Sequence, residues 1–219
     1  MRHISIEGMD GVGKTTLSNR IAEKLGYKFV EKPLHYLFDK DERTFSEYLF
    51  IRDKVNADPD RLFTSWFYAL GTIYMYSHFD GGIVTDRHIL SNWAWSGTDE
   101  SKDVFKFLLS KIGSPYKTII LYSTPEAIRK RMMGRDSKDP DLKKIGKSDA
   151  IYKKMIEFAL AHDMDAMVLN SSDLDADETF RTAMEYLESD KKGVIFESPV
   201  KTGENHGHFI EFTENIERP

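Results

Sequence analysis

The stretch HISIEGMDGVGKTTLSNRIAEKLG, His3 to Gly26, decides the architecture. Its opening residues alternate and are rich in β-branched side chains, which predicts a first strand buried in a sheet. From Lys14 onward Leu17, Ile21 and Leu25 recur at helical spacing until Gly26 stops the helix. Between strand and helix, Gly8, Gly13, Lys14 and Thr15 satisfy the phosphate-loop pattern of glycine, four residues, glycine, lysine and serine or threonine. The chemistry needs this spacing because glycines let successive backbone N–H groups turn inward around phosphate oxygens, at the positive end of the following helix. The residues expected to surround the nucleotide are Gly8, Asp10, Gly11, Val12, Gly13, Lys14, Thr15 and Thr16. Lys14 would reach the β and γ phosphates, and the Thr15 hydroxyl would be a magnesium ligand. The expected ligand is a nucleoside triphosphate, ATP, with Mg2+.

Outward from this stretch the pattern repeats. YKFVEK, GGIVTDR, YKTIILYS and AMVLNSS predict four further strands. Helical patterns separate them, about Arg43 to Val55, Pro59 to Ser77, Ile89 to Ile112, Pro125 to Met133, Ser148 to His162 and Ala176 to Ser189. Strands alternating with helices of this length imply right-handed crossovers, hence an α/β fold with a five-stranded parallel sheet covered by helices on both faces. A polar segment, Gly134 to Asp149, contains Pro140 and two glycines and is expected to be a mobile lid over the site or a plain surface loop. The nucleotide domain is expected to span residues 1–189. The tail, residues 190–219, has two short apolar runs around a turn-rich middle and predicts a β-hairpin or a partly disordered end.

Composition narrows the function. A chain of 219 residues with 40% hydrophobic content supports one sizeable core. Its net charge of -5 offers no basic field for a nucleic-acid polymer. The absence of cysteine excludes disulfides and thiolate metal sites. None of the seven histidines forms a metal-binding pair, and His206 and His208 in the polar tail are expected to be solvated. No segment has the ~18 uninterrupted apolar residues of a membrane span, and MRHISIEG leads into a strand, so a soluble, cytoplasmic protein is expected. A guanine-reading Asn-Lys-x-Asp string is missing, the nearest being GKSD at Gly146 to Asp149, and Asp86 is followed by RHI where a switch protein would turn.

Three motifs together resemble the thymidylate kinase family. IEGMDGVGKTT resembles its phosphate loop, VTDRHILSNWAW (Val84 to Trp95) its Asp-Arg-His-x-x-Ser segment, and TPEAIRKRMMGRD (Thr124 to Asp136) its Pro-Glu helix leading into an arginine-bearing lid. Each falls at the carboxyl end of a predicted strand, and the resemblance extends over about Ile4 to Leu187. It implies a P-loop kinase in which Arg131 and Arg135 close over the transferred phosphoryl group, which needs positioning and charge neutralisation. It further implies that Asp86 holds Mg2+ through water and that Arg87 grips the acceptor phosphate bidentately. Asp10 would accept a hydrogen bond from a deoxyribose 3′-hydroxyl. The acceptor base would stack on Phe67, or alternatively Phe63, with Ser91 and Asn92 near its edge. A homodimer through helices around the third strand is implied as well.

The chain departs from the family on the acceptor side. After the second strand the usual Arg-Glu-Pro is replaced by EKP, Glu31 to Pro33, and no arginine or lysine lies between Arg61 and Arg87. Lys32 could supply the lost positive charge to a monophosphate. The expected reaction is transfer of the ATP γ-phosphate to a deoxynucleoside monophosphate, dTMP, giving dTDP. A deoxynucleoside kinase of the same superfamily is the first alternative, although Lys32 stands where that family has its base and the chain has no glutamine. A phosphate-loop ATPase or regulatory nucleotide-binding protein without acceptor is the second.

Overall fold

A computed structural model describes residues 2–37 and 45–218. Six parallel strands form one sheet in the order β2-β3-β1-β4-β5-β6: β1 (His3–Gly8), β2 (Lys28–Glu31), β3 (Ile83–Asp86), β4 (Lys117–Tyr122), β5 (Ala166–Asn170) and β6 (Val194–Glu197). β1, β4 and β5 are buried along their whole length, as expected of central strands covered on both faces. The α/β fold with its parallel sheet is thus as expected, with one strand more than the sequence suggested.

Helices connect the strands: α1 (Lys14–Leu25), α2 (Phe45–Ala57), α3 (Arg61–His78), α4 (Ile89–Ser96), α5 (Lys102–Ile112), α6 (Pro125–Arg135), α7 (Ser148–Ala161), α8 (Ala176–Leu187) and α9 (Glu204–Glu214). The expected start of α2 at Arg43 lies outside the described residues. The single helix expected from Ile89 to Ile112 is two. Gly97 divides them, and a Cβ there would meet the Trp93 ring at 2.3 Å and its carbonyl at 2.4 Å. Several starts are encoded locally: Asp60 accepts from Phe63 N, Thr124 from Ala127 N, and Asp175 with Glu178 forms a capping box. Among the described residues no helix is long and apolar enough to cross a membrane.

Two expectations need correction. The tail is no hairpin: β6 pairs parallel with β5, Ala166 opposite Val194, and the second apolar run is helix α9. Phe209 and Phe212, three apart on one face, are buried in the main core. A parallel edge strand needs a distant partner, which no local turn signal announces. His206 and His208 are therefore not solvated chain: His206 Nδ1 lies 2.9 Å from Ser198 Oγ, and His208 Nε2 lies 3.5 Å from Asp149. The segment expected to be a lid or a surface loop has a partly packed turn. Its residues Pro140–Lys147 form a 3-10 turn, Ile145 is buried, and Leu142 packs on the core.

Candidate functional site

Strand register assembles the site. Ile6 stands opposite Asp86 between β1 and β3, and Glu31 opposite Asp86 between β2 and β3. The residues that follow, Gly8 to Gly13, Lys32 and Arg87, therefore leave the sheet at one carboxyl edge, where ligands of open α/β sheets bind. Two loop glycines are required sterically. At Gly8 (φ 139°) a Cβ would lie 2.6 Å from the Leu121 carbonyl oxygen, and at Gly11 (φ 83°) 2.5 Å from Met132 Cγ on α6. The lid helix thus presses directly on the phosphate loop.

Lys14 is buried, and its ammonium donates to the Met9 carbonyl at 2.7 Å, with Asp10 at 3.9 Å and Asp86 at 4.0 Å. Burial, then the Arg87 charge, pushes it down to about 8. A polyphosphate would raise it again by supplying anionic partners. Thr15 Oγ1 donates to Asp86 Oδ2 at 2.5 Å. A hydroxyl and a carboxylate held together are hard oxygen donors and fit a magnesium ion, which takes few protein ligands beside phosphate and water. Val12 is buried, whereas Thr16 is exposed on the first turn of α1.

Arg87 takes φ 72°, a left-handed conformation unusual for a side-chain-bearing residue, while its N–H donates to Ile6 O at 2.9 Å. Its guanidinium donates to Gly8 O at 2.9 Å, Asp10 Oδ1 at 2.6 Å and Ser91 Oγ at 3.3 Å. Burial alone would raise Asp10, but Arg87 and Lys14 hold its carboxyl well below the usual range. Next in the chain, His88 is buried against His3, ring centroids 4.5 Å apart, and burial pushes it down to about 3, so it is neutral.

Ser91 and Asn92, expected at the base edge, are occupied internally. Ser91 donates through both Oγ and N–H to Glu7. Asn92 donates to Ser65 O and accepts from Ser96 Oγ, joining α3 to α4. The two aromatics differ as well: Phe67 is half-buried and stacks at 6.5 Å on Tyr48, while Phe63 is 48% exposed.

The lid arginines diverge. Arg131 donates to Ser123 Oγ at 2.9 Å and to the carbonyls of Ser171, Ser172 and Leu174 beyond β5. Arg135 is exposed and pairs with Asp139 at 2.5 Å within the lid. Their equal helical spacing does not bring them to one place.

Three residues escaped the sequence reading. Glu7 is fully buried in β1, accepts from Ser5 and Ser91, and burial raises its carboxyl above the usual range; a charge inside a buried strand was its signal. Arg52 on α2 acts electrostatically on Lys32, Tyr48 and Tyr68. It follows Tyr48 by one helical turn, but only packing turns it toward Lys32. Lys144 of the lid stands 5.7 Å over the Trp95 ring and its charge acts on Asp10. Lys32 itself, at φ 48°, pairs with Glu31; burial, with Arg52 and Arg87, lowers it, while Asp86 opposes.

The fold has solved counterparts. A deoxyadenosine kinase from M. mycoides with the products dCMP and a flexible dCDP bound superposes with TM-score 0.58, covering 86% of this chain and 100% of that one at 19% identity. The parallel α/β fold is shared with that enzyme. The same enzyme with dATP gives TM-score 0.55 at 20% identity over 86% of this chain and all of that one. The YorR protein of Bacillus subtilis, in complex with phosphorylated GDP, gives 0.51 at 17% identity, covering 85% and 95% of the two chains. In sequence, a probable thymidylate kinase of Picrophilus torridus is 28% identical over 105 residues. That alignment covers 45% of this chain and 46% of the relative, so it spans about half the length of the curated protein it matches. No protein-family model matches.

Proposed function

We propose that the protein is a nucleoside monophosphate kinase that transfers the γ-phosphate of ATP to dTMP, giving dTDP. The observation that carries this reading is the cation cluster opposite the phosphate loop. Arg87 is oriented by Gly8 and Asp10, and the Arg52 and Arg87 charges both act on Lys32. Such a cluster suits an acceptor that brings its own phosphate. Arg52 supplies from α2 the charge that the aromatic helix lacks.

In this reading Lys14 and the loop N–H groups hold the triphosphate, and Thr15 with Asp86 would hold Mg2+, which neutralises phosphate charge when bound. Arg87 grips the acceptor phosphate, Phe67 receives the base, and Asp10, already paired with Arg87, also accepts the sugar hydroxyl. The attacking phosphate oxygen is ionised, so no strong general base is needed. Arg135 closes from the lid in the transfer step, and Lys144, acting on Asp10 from the same segment, joins it as a lid cation, while Arg131 stays on the carbonyls beyond β5.

The likeness to deoxyadenosine kinase favours a second reading, phosphorylation of a nucleoside. Against it, the carboxylate next to Lys32, Glu31, is held in an ion pair. An acceptor panel with ATP and magnesium tests both: rapid ADP formation only with dTMP supports the first, only with thymidine or another nucleoside the second. ADP formation without acceptor would indicate an ATPase.

A homodimer through the helices beside β3 belongs to the same proposal. Trp66 and Leu70 on α3 and Phe107 on α5 are 49%, 54% and 44% exposed and support it. Light scattering should return twice the chain mass, and Trp66→Lys should return one.

A further inference from the structure

The chain after Ser189 lies outside the family resemblance, yet its helix α9 is bonded to the root of α6 and to the loop after β5. The sheet order puts the phosphate loop, after β1, between β3 on one side and β4 and β5 on the other. With the acceptor on the β3 side, a nucleotide whose phosphates fill the loop extends its base toward the carboxyl ends of β4 and β5. There α9 is anchored by Phe209 and Phe212, whose rings lie 5.1 and 4.8 Å from that of Tyr122.

Asn205, on its first turn, joins two loops. Its Oδ1 accepts from Thr124 Oγ1 at 2.5 Å, and its Nδ2 donates to Asp173 Oδ1 at 2.6 Å. Thr124 is also the N-cap of the lid helix α6. Asp173 belongs to the loop whose carbonyls hold Arg131. One side chain from the tail thus ties the root of the lid helix to the loop beyond β5. At the lid's far end, His208 of the same helix approaches Asp149 at the start of α7.

We propose that Asn205 is a positioning residue for the base end of ATP: through it, α9 holds the Ser171 to Leu174 loop and the root of α6 at the separation that admits the base. The proposal rests on ATP occupying the phosphate loop and is independent of the acceptor. Lys14 and the loop backbone bind the phosphates without help from α9, so the two ends of the nucleotide can be separated experimentally.

Calorimetry with ATP and with inorganic tripolyphosphate, both with magnesium, makes that separation. Asn205→Ala should weaken ATP about tenfold, the worth of one or two hydrogen bonds, and leave tripolyphosphate affinity unchanged. Asn205→Asp should weaken ATP at least as much, because a carboxylate then faces Asp173. Adding Asp173→Asn to it exchanges donor and acceptor and should recover most of the loss. Unchanged ATP affinity in Asn205→Ala, equal weakening of ATP and tripolyphosphate, or no recovery in the exchanged pair would each overturn the proposal. Because no acceptor is present, a protein that makes no dTDP would sink the kinase reading while this measurement still decided the role of Asn205.

Discussion

At the carboxyl end of β3 an arginine meets a carboxylate; at the carboxyl ends of β4 and β5 an arginine meets carbonyls. Arg87 and Arg131 both come from short motifs after a strand, yet Arg87 lies 2.6 Å from Asp10 amid other full charges, whereas Arg131 has a hydroxyl and three neutral carbonyls. The first region is built of opposing formal charges, which a charged ligand can rearrange at little cost because one ionic partner replaces another. The second is built of dipoles satisfied by one cation, which suits a neutral, hydrogen-bonding group such as a base.

Substitutions can break this contrast. Lys14→Ala removes the buried cation of the charged region and should lower kcat by about 10³-fold, the scale for losing one transition-state donor, in single-turnover assays with an unchanged far-UV spectrum. Arg87→Ala should raise the acceptor KM by at least about tenfold, and Arg87→Lys should not rescue it, since an ammonium lacks the fork. Lys32→Ala should raise the acceptor KM by about fivefold with a much smaller change for ATP; equal changes would move Lys32 out of the acceptor site. On the dipolar side, Arg131→Ala leaves facing carbonyls without their donor, and urea titration should show about 1–2 kcal/mol of lost stability. A loss of turnover without loss of stability would show that Arg131 leaves its carbonyls for the phosphates.

The smallest effect is a pH dependence. The Asp10 carboxyl is depressed in the folded protein, so the stabilisation from its pairing is fully present above the unfolded value, about 3.9, and disappears as pH falls through the lower folded value. The stability difference between wild type and Asp10→Asn should therefore be constant from about pH 7 to 5 and shrink on acidification below about pH 4. A constant difference down to pH 2 would separate Asp10 from the Arg87 pair.

The loop from Gly8 to Gly13 was legible because its pattern is local, a strand before and a helix after, whereas the close approach of Leu121 and Met132 to its glycines comes only with the fold. Asp86 and Arg87 were legible for the same reason, at the end of a short apolar strand. Residue type does not reveal that Ser91 and Asn92 are already bonded to Glu7 and Ser65. Arg52 and Lys144 were passed over as two charges on polar surfaces; only packing shows that each acts on the site.

By itself the sequence determined the alternating architecture, the glycine loop between β1 and α1 and the Asp-Arg pair beside it, since hydrophobic period, glycine tolerance and capping chemistry act over a few residues. Only the tertiary structure decided where Arg131 ends, which cations face Lys32, and that the tail is a sixth strand and a helix bracing the lid. Those outcomes depend on contacts such as Asn205 to Thr124 and Val194 to Ala166, pairs far apart in the chain. Their energy exists only once the sheet has brought them together.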